Sequence, residues 1–174
     1  RFLDRYYRLA VKCIEDTNGV VEKYIGDAVV AAFGAPFDPY SSKKQLSSVI
    51  DAAGAIADLV MNEFQGEVTA KSAITCGTCF FGYAGPRTHR ELTIIGSPLT
   101  ELFRLEGECP PQSVIIPSCW FDQTRATWDI RDYATWHNLG IKPSWDIGTG
   151  TLNLRGVMGE TPITILKRNN YNGP

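Results

Sequence analysis

No stretch of the 174-residue chain approaches the roughly 20 consecutive apolar residues that a membrane-spanning helix needs. Neither sign of charge dominates. Lys and Arg number 17 against 19 Asp and Glu, a formal net charge of −2, so there is no broad basic face for nucleic acid. The chain opens on Arg1 without the basic and apolar regions of a signal peptide, and reads as a fragment of something longer. Its five cysteines (Cys13, Cys76, Cys79, Cys109 and Cys119) are odd in number and scattered, which does not make a disulfide framework. Reduced thiols in a cytosolic compartment are expected. Cys76 and Cys79 form a CxxC, but a second CxxC and a nearby His are missing, so a tetrahedral zinc site lacks ligands and a structural role is expected. There is no internal repeat and no low-complexity segment. What remains is a composition with 44% hydrophobic residues, enough to pack residues 1–174 as one domain.

The periodicities alternate between helix and strand. Leu3, Tyr7, Ala10 and Ile14 recur at helical spacing over 2–15, and Asn18-Gly19 is a stop signal. Residues 20–25 and 28–33 read as strands joined by the two-residue turn Gly26-Asp27. A loop rich in Pro and Gly covers 34–40. Ser42 with Gln45 resembles a capping box, and Leu46, Val49, Ile50, Ala53, Ala57, Val60 and Phe64 then form one apolar helical face. Strands are expected near 67–75 and 78–84, joined around Gly77. A helix with Ser97 as N-cap and Pro98 at its first position should run to about Glu106. Residues 113–116 read as a strand, 117–122 as a short helix, and 151–155 and 162–167 as closing strands. The stretch 125–150, with Trp128, Trp136 and Trp145, is expected to be an irregular insertion or a loose hairpin. Helices interleaved with antiparallel hairpins indicate an α+β sandwich, with helices packed on a mostly antiparallel sheet.

Three segments carry residues with chemical reach. In 21–36 (VEKYIGDAVVAAFGAP), Lys23 lies on a strand and Asp27 at a hairpin tip. An uncrowded carboxylate at a tight turn can meet a hard divalent cation. Taken alone, Gly26-Asp27 reads as turn chemistry and Lys23 as a solvated strand residue. In 73–85 (AITCGTCFFGYAG), Gly77, Gly82 and Gly85 allow close backbone approach. In 91–106 (ELTIIGSPLTELFRLE), Thr100 and Arg104 are four apart and share one helix face. Taken alone, Arg104 would pair with Glu101 or Glu106 on the surface.

Together, in this order, these three segments resemble the catalytic domain of class III adenylate and guanylate cyclases, with Arg5-Tyr6-Tyr7 where that family often has a basic and aromatic run. The resemblance covers 1 to about 122 well and the last strands loosely. It implies a ferredoxin-like βαββαβ sandwich. It also implies that Asp27 binds two catalytic Mg2+ or Mn2+ ions, that Lys23 and Thr93 read the purine base, and that Thr100 orients the ribose where the family usually has Asn. Arg104 would stabilise the transition state, and Arg155, beside Gly156, would contact the triphosphate. The family places a further metal aspartate on a strand ahead of the first helix, and this chain begins at or near that helix.

The implied reaction is attack of the ribose 3′-hydroxyl on the α-phosphate of ATP, with loss of pyrophosphate, at a site shared by a head-to-tail homodimer. Lysine at position 23 implies adenine, whose N1 accepts a hydrogen bond. A fused sensor or regulatory domain outside the chain is implied, with the chain in the cytosolic part of the whole. The alternative is a cyclase-homology domain without activity that binds nucleotide or dimerises. A diguanylate cyclase would need a Gly-Gly-Asp/Glu-Glu-Phe hairpin, which is missing, and a ligand-binding α+β domain without catalysis stays open.

Overall fold

A computed structural model describes residues 2–34, 42–124, 145–157 and 159–168. The elements follow in the order α1 (Phe2–Asp16), β1 (Gly19–Ile25), β2 (Ala28–Phe33), α2 (Ser42–Glu63), β3 (Ser72–Ala73) and β4 (Phe80–Ala84). Then come β5 (Glu91–Ile95), α3 (Ser97–Glu108), β6 (Ser113–Pro117), α4 (Ser118–Thr124), β7 (Trp145–Leu152) and β8 (Thr161–Arg168). The architecture is α+β, as the sequence indicates.

The core is built around β6, whose residues Ser113–Pro117 are all buried. Such a continuous apolar run is what a strand covered on both faces requires. It is parallel to β3 and antiparallel to β8, which pairs in turn with β7, giving the order β3-β6-β8-β7. Alternation then divides the side chains. Val114 and Ile116 face Leu46, Ile50 and Ala53 of α2 with Phe121 of α4, while Ile115 faces Leu105 of α3 with Leu154 and Ile163. Helices therefore cover both faces of this sheet. Full burial of a side chain such as Ile115 or Ile116 contributes about 1.5–3 kcal/mol. An ion pair lies inside the fold, between Asp58 of α2 and Arg168 at the end of β8, with side chains 6% and 8% exposed.

Helix α1 buries Ala10, Cys13 and Ile14 along one stripe. It closes where the Thr17 hydroxyl donates to the carbonyls of Cys13 and Ile14 at 2.7 and 3.0 Å, and Asn18 takes a left-handed φ of 64°. Asn is among the few residues that tolerate that conformation, so the stop signal works as read. The start of α1 lies against the end of α2, with Phe2 stacked on Phe64 at 4.9 Å and Arg5 bound to Glu63.

Four expectations need correction. The strands at 67–75 and 78–84 do not form a hairpin. β3 is two residues long and joins β6, whereas β4 pairs with β5 in register Phe80↔Ile95 to Ala84↔Glu91. The turn at 85–90 therefore closes the hairpin, with the His89 amide bonded to the Pro86 carbonyl at 2.9 Å. Gly96, not Ser97, is the N-cap of α3, and no side chain caps it. A long strand, β7, starts at Trp145, inside the stretch expected to be irregular; residues 125–144 lie outside those described. It also ends at Leu152, so 153–155 form part of a loop. The expected loop at 35–40 and the Ser42 cap fall outside the described residues and side chains.

Candidate functional site

The β1–β2 hairpin carries two of the residues singled out. Its two-residue loop has Gly26 at φ 60°, which a side chain would disfavour. Asp27 is exposed at the tip. One tyrosine of α1 braces this tip: the Tyr7 hydroxyl donates to the Gly26 carbonyl, and the Tyr7 ring packs on Tyr24 at 4.7 Å. Burial, then the nearby Asp27 carboxylate, pushes the Tyr6 phenol above its ordinary value. Tyr6 thus stays a neutral hydroxyl beside a carboxylate. Tyr7 of the aromatic run before the hairpin thus supports the turn next to Asp27, a role that its sequence did not reveal.

Asp27 offers a hard oxygen donor of the kind Mg2+ and Mn2+ prefer. Among the described residues, no group of three or more His, Cys, Asp or Glu gathers there or elsewhere. The fit to a metal is therefore in donor chemistry, with one carboxylate.

Lys23 and Thr93 come together. They stand 70 residues apart in sequence, on β1 and β5, and Lys23 Nζ donates to Thr93 Oγ1 at 2.9 Å. A third residue completes the group. Glu22 Oε1 accepts from the Thr93 hydroxyl at 2.7 Å, from the Ile94 amide at 3.3 Å, and lies 3.0 Å from Lys23 Nζ. Successive strand residues normally face opposite ways. Here the pairing of β1 slips between Val21 and Lys23, a bulge that lets Glu22 and Lys23 reach the same partner. The Glu22 side chain is only 3% exposed, that of Lys23 29%. Burial works against the Glu22 charge, but the bonds from Thr93, Lys23 and the Ile94 amide outweigh it and hold the carboxyl below its ordinary value. The bond to Glu22 raises the Lys23 ammonium above its ordinary value, with Glu91 at 4.0 Å adding to it. Both groups are charged at neutral pH. Sequence reading found Lys23 and Thr93 but missed Glu22, because the bulge that turns it inward leaves no local pattern.

Strand β5 leads through Gly96 into α3, which carries Thr100 and Arg104 one turn apart. Thr100 is exposed and Arg104 half-buried. The surface pairs expected for Arg104 do not form. Glu101 accepts from the Thr75 hydroxyl at 2.9 Å, and Glu106 pairs with Lys71 at 2.9 Å. Instead the loop between β7 and β8 reaches Arg104. A Cβ built on Gly156 would lie 3.2 Å from both terminal nitrogens of the guanidinium, so glycine leaves room for that group to lie against the backbone. Arg155, the preceding residue, is exposed. Two cationic side chains, Arg104 and Arg155, thus come from neighbouring pieces of chain, where an anionic group could meet both.

The arrangement gathers hydrogen-bonding groups on β1 and β5, guanidinium groups on α3 and the β7–β8 loop, and an exposed carboxylate at a hairpin tip. A further property of the region is apolar. On the β4–β5 hairpin, Phe80 is 59% and Tyr83 69% exposed, with Leu92 and Ile95 also largely open.

No protein-family model matches the chain. Among curated proteins, uncharacterized protein Rv1319c of Mycobacterium tuberculosis is 31% identical over 105 residues, covering 60% of this chain and 19% of that protein. Uncharacterized protein Rv1318c of the same organism is 35% identical over 106 residues, again 60% of this chain and 19% of the relative. The chain thus spans about a fifth of the length of the curated relatives it matches. Among solved structures, the adenylyl cyclase CyaB from P. aeruginosa superposes with a TM-score of 0.73 at 18% identity, over 99% of this chain and 83% of that one. The guanylate cyclase domain of RhGC from Catenaria anguillulae, in complex with GTP, gives 0.70 at 12% identity, over 97% and 82%. The guanylyl cyclase Cya2 gives 0.64 at 16%, over 98% and 81%. The chain has the fold of these adenylyl and guanylyl cyclases.

Proposed function

From a cyclase fold with Lys23 and Thr93 brought together, we propose that this chain is the catalytic domain of a class III nucleotide cyclase. It converts ATP to 3′,5′-cyclic AMP and pyrophosphate. The observation that carries the reading is the 2.9 Å bond between Lys23 and Thr93, because it joins the two residues proposed to read the base across two separate hairpins. Lys23 donates to adenine N1, and Thr93 meets the 6-amino group. Guanine offers a proton at N1 and an oxygen at C6, the reverse of what these groups can pair with.

Arg104 binds an oxygen of the α-phosphate, and its guanidinium meets the extra charge that develops as the 3′-oxygen adds to phosphorus. Its half-buried position against Gly156 limits the reorganisation needed at that moment. Thr100, one turn earlier, offers a hydroxyl to the ribose in place of the longer amide of the family. Arg155 holds the outgoing pyrophosphate end. Asp27 would hold Mg2+ or Mn2+, together with triphosphate oxygens and the aspartate that the family carries ahead of α1. When bound, the metal supplies charge neutralisation and a more acidic 3′-hydroxyl. Asp27 lies at the tip of the β1–β2 hairpin and Arg104 on α3, and the site is shared by two copies packed head to tail, with Asp27 from one and Arg104 from the other. The exposed Phe80, Tyr83, Leu92 and Ile95 of the β4–β5 hairpin supply an apolar face for the second copy.

The domain belongs to signalling by cyclic nucleotide in the cytosol, and the much greater length of its relatives supports fused sensor or regulatory domains. No described helix is long and apolar enough to cross a membrane. A second reading, a nucleotide-binding domain without turnover, draws on Thr100 at the ribose position and on the one carboxylate at the hairpin tip. Incubating the full-length protein with ATP and Mg2+ or Mn2+ and separating the products by chromatography distinguishes the two. Equimolar cyclic AMP and pyrophosphate, reduced by about 10²–10³ in Arg104→Ala, support the enzyme. Binding of ATP with no cyclic product supports the second reading.

A further inference from the structure

Glu22 has no role in the chemistry described so far, and it is placed at some cost. One of its oxygens, Oε1, takes three donors, while Oε2 is buried without a hydrogen-bond partner among the described residues. A buried carboxylate oxygen left unpaired lowers stability, so such a group calls for another reason to be there.

The reason lies in the hydrogens of its neighbours. A threonine hydroxyl has one proton and two lone pairs. The proton of Thr93 goes to Glu22 Oε1, and one lone pair takes Lys23 Nζ. What remains for a ligand is a single lone pair, so Thr93 can only accept. The Lys23 ammonium has three protons. One points to Glu22 and one to Thr93, which leaves the third for a ligand. Side by side, the pair presents one donor and one acceptor. Adenine fits, with an acceptor at N1 next to a donor at its 6-amino group. Guanine and hypoxanthine, with a donor at N1 next to an acceptor at C6, are mispaired at both positions.

We propose that Glu22 is a positioning residue that sets base choice, by taking the Thr93 proton and so fixing the hydroxyl as an acceptor toward the base. The inference rests on the cyclase reading and extends it to a residue outside the base-contacting pair. Without Glu22, the Thr93 hydroxyl is free to turn and donate to a 6-oxo group, and the barrier against guanine falls.

The test is kcat/KM of the full-length protein with ATP and with GTP, for wild type, Glu22→Leu, Glu22→Gln and Thr93→Val. Glu22→Leu should lower the ATP-to-GTP ratio by about tenfold, the worth of one mispaired hydrogen bond, with the change in KM for ATP more than in kcat. Glu22→Gln keeps an oxygen that can accept the Thr93 proton and should hold the ratio within about threefold. Adding Glu22→Leu to Thr93→Val should change the ratio no further, because both act through one hydroxyl. A residue that only supported the fold would lower both substrates together and leave the ratio unchanged, and that result overturns the proposal while leaving the cyclase reading intact. A wild type that prefers GTP overturns both the proposal and the choice of ATP, and leaves only the nucleotide cyclase reading intact. A wild type that cyclises neither nucleotide overturns both. Wild-type rank order reads the hydroxyl without any variant. ATP above purine riboside triphosphate, and that above inosine triphosphate, is the expected order. Inosine triphosphate above the unsubstituted purine means that Thr93 donates, and refutes it.

Discussion

Replacing Gly156 by alanine separates what the β7–β8 loop does for Arg104 from what it does for the fold. Gly156 has a φ of +73°. An L-residue held there costs about 1–2 kcal/mol, which for a domain of this size lowers Tm by roughly 2–8 °C. The new methyl group would also sit 3.2 Å from both terminal nitrogens of Arg104, closer than an ordinary contact, and the flexible guanidinium must yield by a few tenths of an ångström. A 1 Å misplacement can cost about a hundredfold, so a shift of this size should reduce kcat by roughly tenfold. KM should change little, since the residues proposed to read the base stand on β1 and β5. Gly159 provides the control. Its φ is +82°, yet nothing lies within 4 Å of its added Cβ. Gly159→Ala should show the same fall in Tm with kcat unchanged. The measurement is steady-state cyclic AMP formation alongside thermal unfolding of both variants. Equal kcat for the two would refute a role for Gly156 in seating Arg104.

Three further outcomes follow from the same structure. Asp58→Ala leaves the Arg168 guanidinium buried and unpaired, so unfolding stability should fall by about 3–5 kcal/mol, read as a lowered denaturant midpoint; a loss under about 1 kcal/mol would mean that the pair is solvated. At pH 8, a thiol reagent should titrate exposed Cys79 and Cys119 quickly. Cys13, Cys76 and Cys109, whose thiols burial pushes up to about 11, should react only on unfolding, and fast labelling of more than two sites would contradict this. The Glu22 carboxyl is held below its ordinary value of 4.5, so its contribution to stability is present above that pH and is lost as pH falls through the folded value. Glu22→Gln should therefore lose less stability than wild type on acidification from about pH 5 to pH 3, and parallel acid limbs would argue against a charged Glu22.

What was legible in the sequence had short range. The α2 stripe from Leu46 to Val60, the Gly26-Asp27 turn, the stop at Asn18 and the apolar run of β6 each depend on neighbours within a few residues, and each stands in the structure as read. Strand pairing did not follow, because the partner of β3 lies about 40 residues away, at Val114 and Ile115 of β6. The two residues of β3 find parallel bonds to β6, and β4 turns to β5 through a loop at 85–90, whereas the sequence reading placed the turn before β4, at Gly77. The same division runs through the candidate site. Lys23, Thr93 and Arg104 could be picked out one at a time, from motifs. Glu22 could not, because its role comes from a one-residue slip in β1 pairing and from a strand 70 residues away. Nor could the contact of Gly156 with Arg104, which joins the loop after β7 to the middle of α3.

The proposed cyclase site is divided between two copies, with Asp27 from one and Arg104 from the other. Its most direct test uses the full-length protein in two forms, Asp27→Asn and Arg104→Ala, each assayed alone and after mixing and reassociation. Either variant alone damages both sites of its dimer and should produce almost no cyclic AMP. In a mixed dimer, one site receives both wild-type residues and the other receives both substitutions. A one-to-one mixture should therefore recover roughly a quarter of wild-type activity. A mixture no more active than the separate variants would place Asp27 and Arg104 in the same copy's site and contradict the account.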